Sequence, residues 1–334
     1  MTDSLEEHDA AGIEWLLAGD PAIRWQVLRD LLDAPEPEWQ AERHKVETEG
    51  WGAQLLGLED DDGQWDGGSF VPAGFERSEW EQVGQPWTAT TYALTQLREF
   101  GLDPRSERAQ RAVELVGANS RWDHDGQPFW EGEVEECING RTLADGAYFG
   151  VDMAPLAERL VAERLEDGGW NCMRAAGSLR SSFATTINVL EGLLEYEQAT
   201  GGTAESVAAR RTGEEFLLAR GLFRRLSTGA PADEQFLRFA YPNRWHYDVL
   251  RALDYFRSAG VLTGAAPDPR LGDAVDYVRS RRREDGTWPL DRLIAGRTWF
   301  ALDDGEGRPS RWVTLRAMRV LRWCDGAGPD LGRV

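Results

Sequence analysis

Apolar residues recur at helical intervals through most of the chain. Ile23, Val27, Leu28, Leu31 and Leu32 fall on one helical face. Phe183, Ile187, Leu190, Leu193 and Leu194 fall on another. No Val/Ile-rich alternating run bounded by hairpin turns occurs, so the pattern predicts helices and no sheet. Residues 11–33 read as two helices broken at Gly19-Asp20-Pro21, with Asp20 as N-cap and Pro21 as first helical residue. Further helices are predicted from Pro37 towards Glu49, after Pro86 to Phe100, from Pro104 to Val116, and over 154–165. The pattern continues with helices from about 181, over 203–219, after Pro242 to Ser258, over 269–282, and after Pro309 to Trp323. Gly67 to Gln85 reads as an aromatic, glycine-rich loop. Residues 131–150 read as loop around a short helix near 143–149.

A short turn repeats between these helices. Asp61-Asp62-Gly63-Gln64-Trp65, Glu166-Asp167-Gly168-Gly169-Trp170 and Glu284-Asp285-Gly286-Thr287-Trp288 share an Asp-Gly-x-Trp pattern, and 125–130 is a looser copy. Asp can hydrogen-bond its own downstream backbone, Gly supplies positive φ, and the Trp that follows can plug the space between helices. Ala-Thr-Thr occurs at 89–91 and 184–186, each time in the helix after such a turn. The last gap between turns is about twice the others, so one unit near 222–240 lacks its turn. The repeating unit is helix, turn, helix, occurring five or six times, and periods of this size imply a solenoid or a closed ring.

Composition narrows the partners. A formal charge of -21, from 58 acidic against 37 basic residues, excludes the basic footprint that nucleic acid or an anionic membrane requires. Three cysteines do not make a disulfide framework. No stretch reaches the length of an apolar membrane span, and the acidic N-terminus is unlike a secretory signal. A cytoplasmic protein is expected.

The Asp-Gly-x-Trp turns resemble the Gln-Trp-type repeats of squalene and hopene cyclases and the Gly-Gly-Phe/Trp turns of prenyltransferase β subunits. Gly168-Gly169-Trp170-Asn171-Cys172 fits that pattern well. The resemblance spans about residues 10–325. It implies an all-α fold, an α/α toroid of five to six helical hairpins in inner and outer rings, formed by 51–334 with 1–50 as a helical extension. It also implies a central, aromatic-lined cavity for a hydrophobic, isoprenoid-type small molecule. The Asp-x-Asp-Asp acid motif of the cyclases has no counterpart beyond Leu302-Asp303-Asp304 and Asp60-Asp61-Asp62. Gly140 to Tyr148 resembles the segment in which prenyltransferases hold zinc with Asp-x-Cys: Asp145 matches the aspartate, and Ala147 stands where the cysteine would be.

Candidate chemistry follows. His246 and Asp248 lie in Trp245-His246-Tyr247-Asp248 at an expected helix start, where His246 is the best general acid/base and Asp248 could equally be a cap. Asp303 and Asp304 form an acidic pair beside aromatics, or a solvated turn. Trp87, Trp245, Trp299 and Trp312, with Tyr148, are candidate cavity walls, and inter-helix packing is the alternative. Arg180, Arg244 and Arg311 precede inner-helix candidates and could hold a diphosphate or carboxylate, or pair with the turn acids. Cys137, Cys172, Asp145 and His246 could meet around zinc, but their spacing matches no zinc motif and buried cysteine is the plainer reading; no metal or cofactor is assigned. The function expected is a cyclase- or prenyltransferase-like enzyme. A non-catalytic toroid binding a hydrophobic ligand or a protein partner, and a carbohydrate-active toroid, are the alternatives.

Overall fold

The computed structural model describes residues 2–326. Met1 and 327–334, the outer ends of the two expected segments, lie outside the described residues. The helices, in order, are α1 Thr2–Leu17, α2 Pro21–Asp30, α3 Glu36–His44, α4 Gly50–Leu56, α5 Trp80–Val83, α6 Thr90–Phe100 and α7 Glu107–Asn119. They continue with α8 Glu136–Tyr148, α9 Ala154–Ala162, α10 Phe183–Thr200, α11 Ala204–Leu218, α12 Val249–Thr263, α13 Gly272–Ser280 and α14 Arg311–Cys324. Among the described residues there is no strand, only isolated bridges. None of these helices is long and apolar enough to cross a membrane.

The starts follow the expected capping chemistry. The Asp20 carboxylate accepts from the Ala22 amide at 2.9 Å with Pro21 at the first helical position. Ser106, Ser182 and Ser310 cap α7, α10 and α14 in the same way.

Each Asp-Gly-x-Trp turn is a joint between two helices. The indole N–H of Trp65, Trp170 and Trp288 donates to the carbonyl ten residues upstream, in α4, α9 and α13, at 2.8, 2.7 and 2.7 Å. The backbone N–H of the same three residues donates to Thr90, Thr186 and Thr314 in the first turns of α6, α10 and α14 at 3.1, 3.1 and 2.9 Å. The three indoles are fully buried. Asp62 and Asp285 accept from the amide two residues on, both at 3.0 Å, as turn chemistry predicts. Asp167 departs from this: its carboxylate accepts from the Ser181 amide at 3.0 Å instead.

Contacts between helices follow a simple order. α2 packs on α6, α6 on α8, α8 on α10, α10 on α12, α12 on α14, and α14 back on α2. α4, α9, α11 and α13 each pack against one or two of these.

Segment 131–150 differs from expectation: it holds the 13-residue helix α8 rather than a loop with a short helix. Its glycines lower helix propensity and mislead the local reading. They serve a close crossing. A Cβ on Gly140 would stand 2.4 Å from the Asn188 carbonyl of α10, and one on Gly192 would stand 2.3 Å from the Gly140 carbonyl. The loop expected over 67–85 contains the one-turn helix α5.

Candidate functional site

The main cavity, about 750 Å³, is walled by α2, α3, α6, α10, α12 and α14 and by Asp33 and Ala34 between α2 and α3. Arg98 and Glu99 of α6 enter from the helix C-terminal end, and so do Glu191, Leu194 and Glu195 of α10. Six arginines and seven carboxylates line it, against a few aromatic and aliphatic side chains. The wall is therefore charged, not the aromatic and apolar one expected. A second hollow of about 10 Å³, room for about one water or one ligand oxygen, shares Arg98, Glu99, Glu191 and Arg251 with it and so lies against its floor.

Most wall charges are paired. Burial alone would raise the Asp30 carboxyl, but Arg29, Arg257 and Arg319 outweigh it and hold it well below the usual range. They stand at 2.6, 3.1 and 3.3 Å. Arg251 meets Glu191 with two hydrogen bonds, at 2.8 and 2.5 Å. Asp254 is held by Arg319 and by Arg316, and they overcome burial to keep its carboxyl low. Glu195 is different: burial pushes its carboxyl up, and Arg98, at 3.5 Å, compensates only in part.

Two arginines at the floor have no carboxylate partner. Arg141, on α8, and Arg244, in the loop before α12, are both buried, and neither forms an ion pair with a carboxylate among the described residues. Arg141 donates to the Asn188 side-chain oxygen at 3.2 Å and to the Arg244 carbonyl. Arg244 reaches the Gln96 side-chain oxygen at 3.4 Å, a long bond. Their planes lie near aromatic faces, Arg141 5.8 Å from Tyr92 and Arg244 5.4 Å from Trp87. Burial, followed by the repulsion of Arg141, pulls Arg244 down to about 10. Burial, followed by Arg251, lowers Arg141 too. Arg244 also has φ of 54°, a left-handed conformation that costs a non-glycine residue about 1–3 kcal/mol.

Asp248 explains how that loop is held. It is not at a free helix start. It caps α12, accepting from the Arg251 amide at 2.8 Å, the Ala240 amide at 3.1 Å and the Asn243 side chain at 2.5 Å. With its oxygens committed to two backbone amides and the Asn243 side chain, it ties the loop that carries Arg244 to the start of α12 and lies outside both cavity walls.

His246 precedes α12 rather than opening it. Its ring stacks on Trp245 at 3.7 Å and meets Trp87 edge-on at 6.4 Å. Burial, then Arg292 and Arg251, push its pKa down to about 4, so it is neutral at pH 7 and poorly suited to be a general acid there. It lines neither cavity. Trp245 is partly exposed and donates to the Gln85 side chain at 3.1 Å.

The other expected residues are scattered by the fold. Asp145 is buried and paired with Arg98 at 2.8 Å and the Thr95 hydroxyl at 2.7 Å. Asp303 accepts from the Ser310 hydroxyl at 2.8 Å and the Arg311 amide at 3.2 Å at the start of α14; burial raises its carboxyl to about 7. Asp304 is exposed. Tyr148 donates to the Leu102 carbonyl at 2.6 Å, Trp299 to the Thr88 carbonyl at 3.1 Å and Trp87 to the Ala295 carbonyl at 2.8 Å, all packing roles. Arg180 is exposed, and Arg311 covers the Trp15 ring at 4.4 Å. Cys137 and Cys172 come together, the Cys137 amide donating to the Cys172 sulfur at 3.4 Å, while Asp145 and His246 stand with other partners. Of the residues named as site candidates, Trp312 alone lines the large cavity, stacked on Tyr241 at 4.3 Å.

Sequence reasoning missed the charged wall itself. Its trace is visible: Glu191 and Glu195, Arg251, Asp254 and Arg257, and Arg316 and Arg319 recur at helical spacing opposite apolar faces.

No family model matches the chain, and no curated protein matches it. Among solved structures the chain is similar to a protein from Actinoplanes, at 15% identity and a TM-score of 0.48 over 96% of this chain and 99% of that one.

Proposed function

We propose that the chain is an α/α toroid whose central cavity binds a small, polar molecule through an anionic group, a carboxylate or a phosphate. The toroid reading rests on the order of helix contacts, which runs α2, α6, α8, α10, α12, α14 and returns to α2. In it α2 is the sixth inner helix, and α4, α9, α11 and α13 belong to the outer layer. The 1–50 segment is then part of the ring rather than an appendage.

The observation that carries the ligand is the Arg141–Arg244 pair. Desolvating a cation without a counter-ion is expensive, and two adjacent ones are more so. An anionic oxygen in the 10 Å³ hollow would face four arginines, Arg98, Arg141, Arg244 and Arg251, with Asn188 beside it; the two carboxylates that also line the hollow, Glu99 and Glu191, leave it with a cationic excess. The rest of the molecule would lie in the 750 Å³ space above, against mixed charges and the Trp312 ring. An isoprenoid chain is supported less well, because its apolar carbons would meet six arginines and seven carboxylates.

The test is thermal stabilisation and calorimetry with inorganic phosphate, small carboxylic and phosphorylated acids, isoprenoid diphosphates and the matching neutral alcohols. Anions should stabilise the protein, by about 2.7 kcal/mol at a hundredfold excess over Kd, and the neutral analogues should not. Arg244→Gln should abolish the effect. Equal stabilisation by an isoprenoid alcohol and its diphosphate would defeat the anion reading.

A further inference from the structure

Away from the central cavity, two sulfurs and a carboxylate meet at the N-terminal ends of α8 and α10. Glu135 is the residue before α8, Cys137 is its second residue, and Cys172 follows the Trp170 turn. One ligand atom from each lies within 4.8 Å of the other two. The Cys137 sulfur stands 3.6 Å from the Glu135 carboxylate. A tetrahedral ion with sulfur at about 2.3 Å and oxygen at about 2.1 Å sets its ligand edges at about 3.6–3.8 Å. The Cys137–Glu135 separation matches such an edge, and the other two, within 4.8 Å, lie about 1 Å or less beyond it, a gap that side-chain rotation can close.

The surroundings also suit a bound thiolate. The Cys172 sulfur accepts from the Cys137 amide at 3.4 Å and from the Thr185 hydroxyl at 3.3 Å. Such donors to a ligand atom are what orient and hold metal ligands from the second layer. Thr185 is itself fixed by the Ser182 cap, whose oxygen receives the Thr185 amide at 3.0 Å.

From this geometry we infer that Cys137, Cys172 and Glu135 form a site for a thiophilic divalent cation of the Zn²⁺ class, with a fourth position open to water. The set differs from an Asp-x-Cys arrangement: Asp145 is committed to Arg98 and Thr95. The inference is independent of the anion reading, since none of the three residues lines the central cavity.

The experiment uses full-length protein, stripped with a chelator and kept reduced with a phosphine. Co²⁺ is titrated in while sulfur-to-cobalt charge-transfer absorption is followed, and Zn²⁺ is then used to displace it. One ion per chain is expected. Cys137→Ser and Cys172→Ser should each weaken binding and reduce the charge-transfer band, and the double variant should lose it. Glu135→Gln, an exposed position that leaves the fold intact, should weaken binding by about 10–100-fold. Absence of the band in wild-type protein, an undiminished band in Cys172→Ser, its persistence in the double variant, or unchanged affinity in Glu135→Gln would each overturn the site. Circular-dichroism melting of each variant separates loss of metal from loss of fold.

Discussion

At the scale of single residues, burial decides what an ionisable group can do more than its identity does. His246 has the ordinary pKa for acid/base work near neutrality, yet burial and nearby arginines move it to about 4. Its proton affinity is lower folded than unfolded. The stability that this gives is present above pH 6.5 and is lost as pH falls through 4. Nuclear magnetic resonance titration of His246 should therefore show a midpoint near 4; a midpoint near 6.5 would mean that the ring is solvated. Arg141 and Arg244 present the opposite case. They stay cationic in a buried place where neither forms an ion pair with a carboxylate among the described residues, and that is why they, rather than His246, define the candidate site.

At the scale of elements, helix contacts are set by what is small. α8 and α10 approach closely because Gly140 and Gly192 face each other's backbones. Gly192→Ala would place a methyl 2.3 Å from the Gly140 carbonyl, closer than real atoms come. We expect a loss of about 1–3 kcal/mol in urea unfolding, the usual penalty of overpacking. It should exceed the loss from Gly57→Ala in α4's C-cap, where a Cβ would meet nothing nearer than 3.4 Å. The tryptophan joints work the other way, filling space: each binds an upstream carbonyl through its indole and a downstream threonine through its backbone.

At the scale of the whole molecule, the proposed ring closes where α2 meets α14, and a buried cluster of charges spans that seam beside the apolar core. Asp30 of α2 joins Arg257 of α12 and Arg319 of α14. Asp30→Ala leaves both guanidiniums buried without their shared carboxylate, and should cost about 3–5 kcal/mol in chemical denaturation. A loss below about 1 kcal/mol would show that water already screens the seam. The same seam forms part of the cavity wall, so the variant should also weaken anion binding indirectly.

Much of the fold is legible in the sequence because it is written in local chemistry. Asp20-Pro21 starts a helix wherever it occurs, an Asp-Gly turn needs only its own atoms, and a recurring Trp announces a recurring joint. Apolar periodicity likewise marks Ile187, Leu190, Leu193 and Leu194 of α10 as buried, although the helix is buried on other sides as well. What periodicity leaves open is what the other face meets. A charged stripe such as Glu191 and Glu195 has the same spacing whether it faces open solvent or the wall of a cavity. Nor does a glycine reveal that another helix presses on it, as Gly140 shows. The pairing of Cys137 with Cys172, and of Arg141 with Arg244, joins residues far apart in the chain. Sequence determined the helices and their joints, whose energies act between near neighbours. Tertiary structure alone decided which distant charges were desolvated together, because burial belongs to the assembled surroundings and not to the residue.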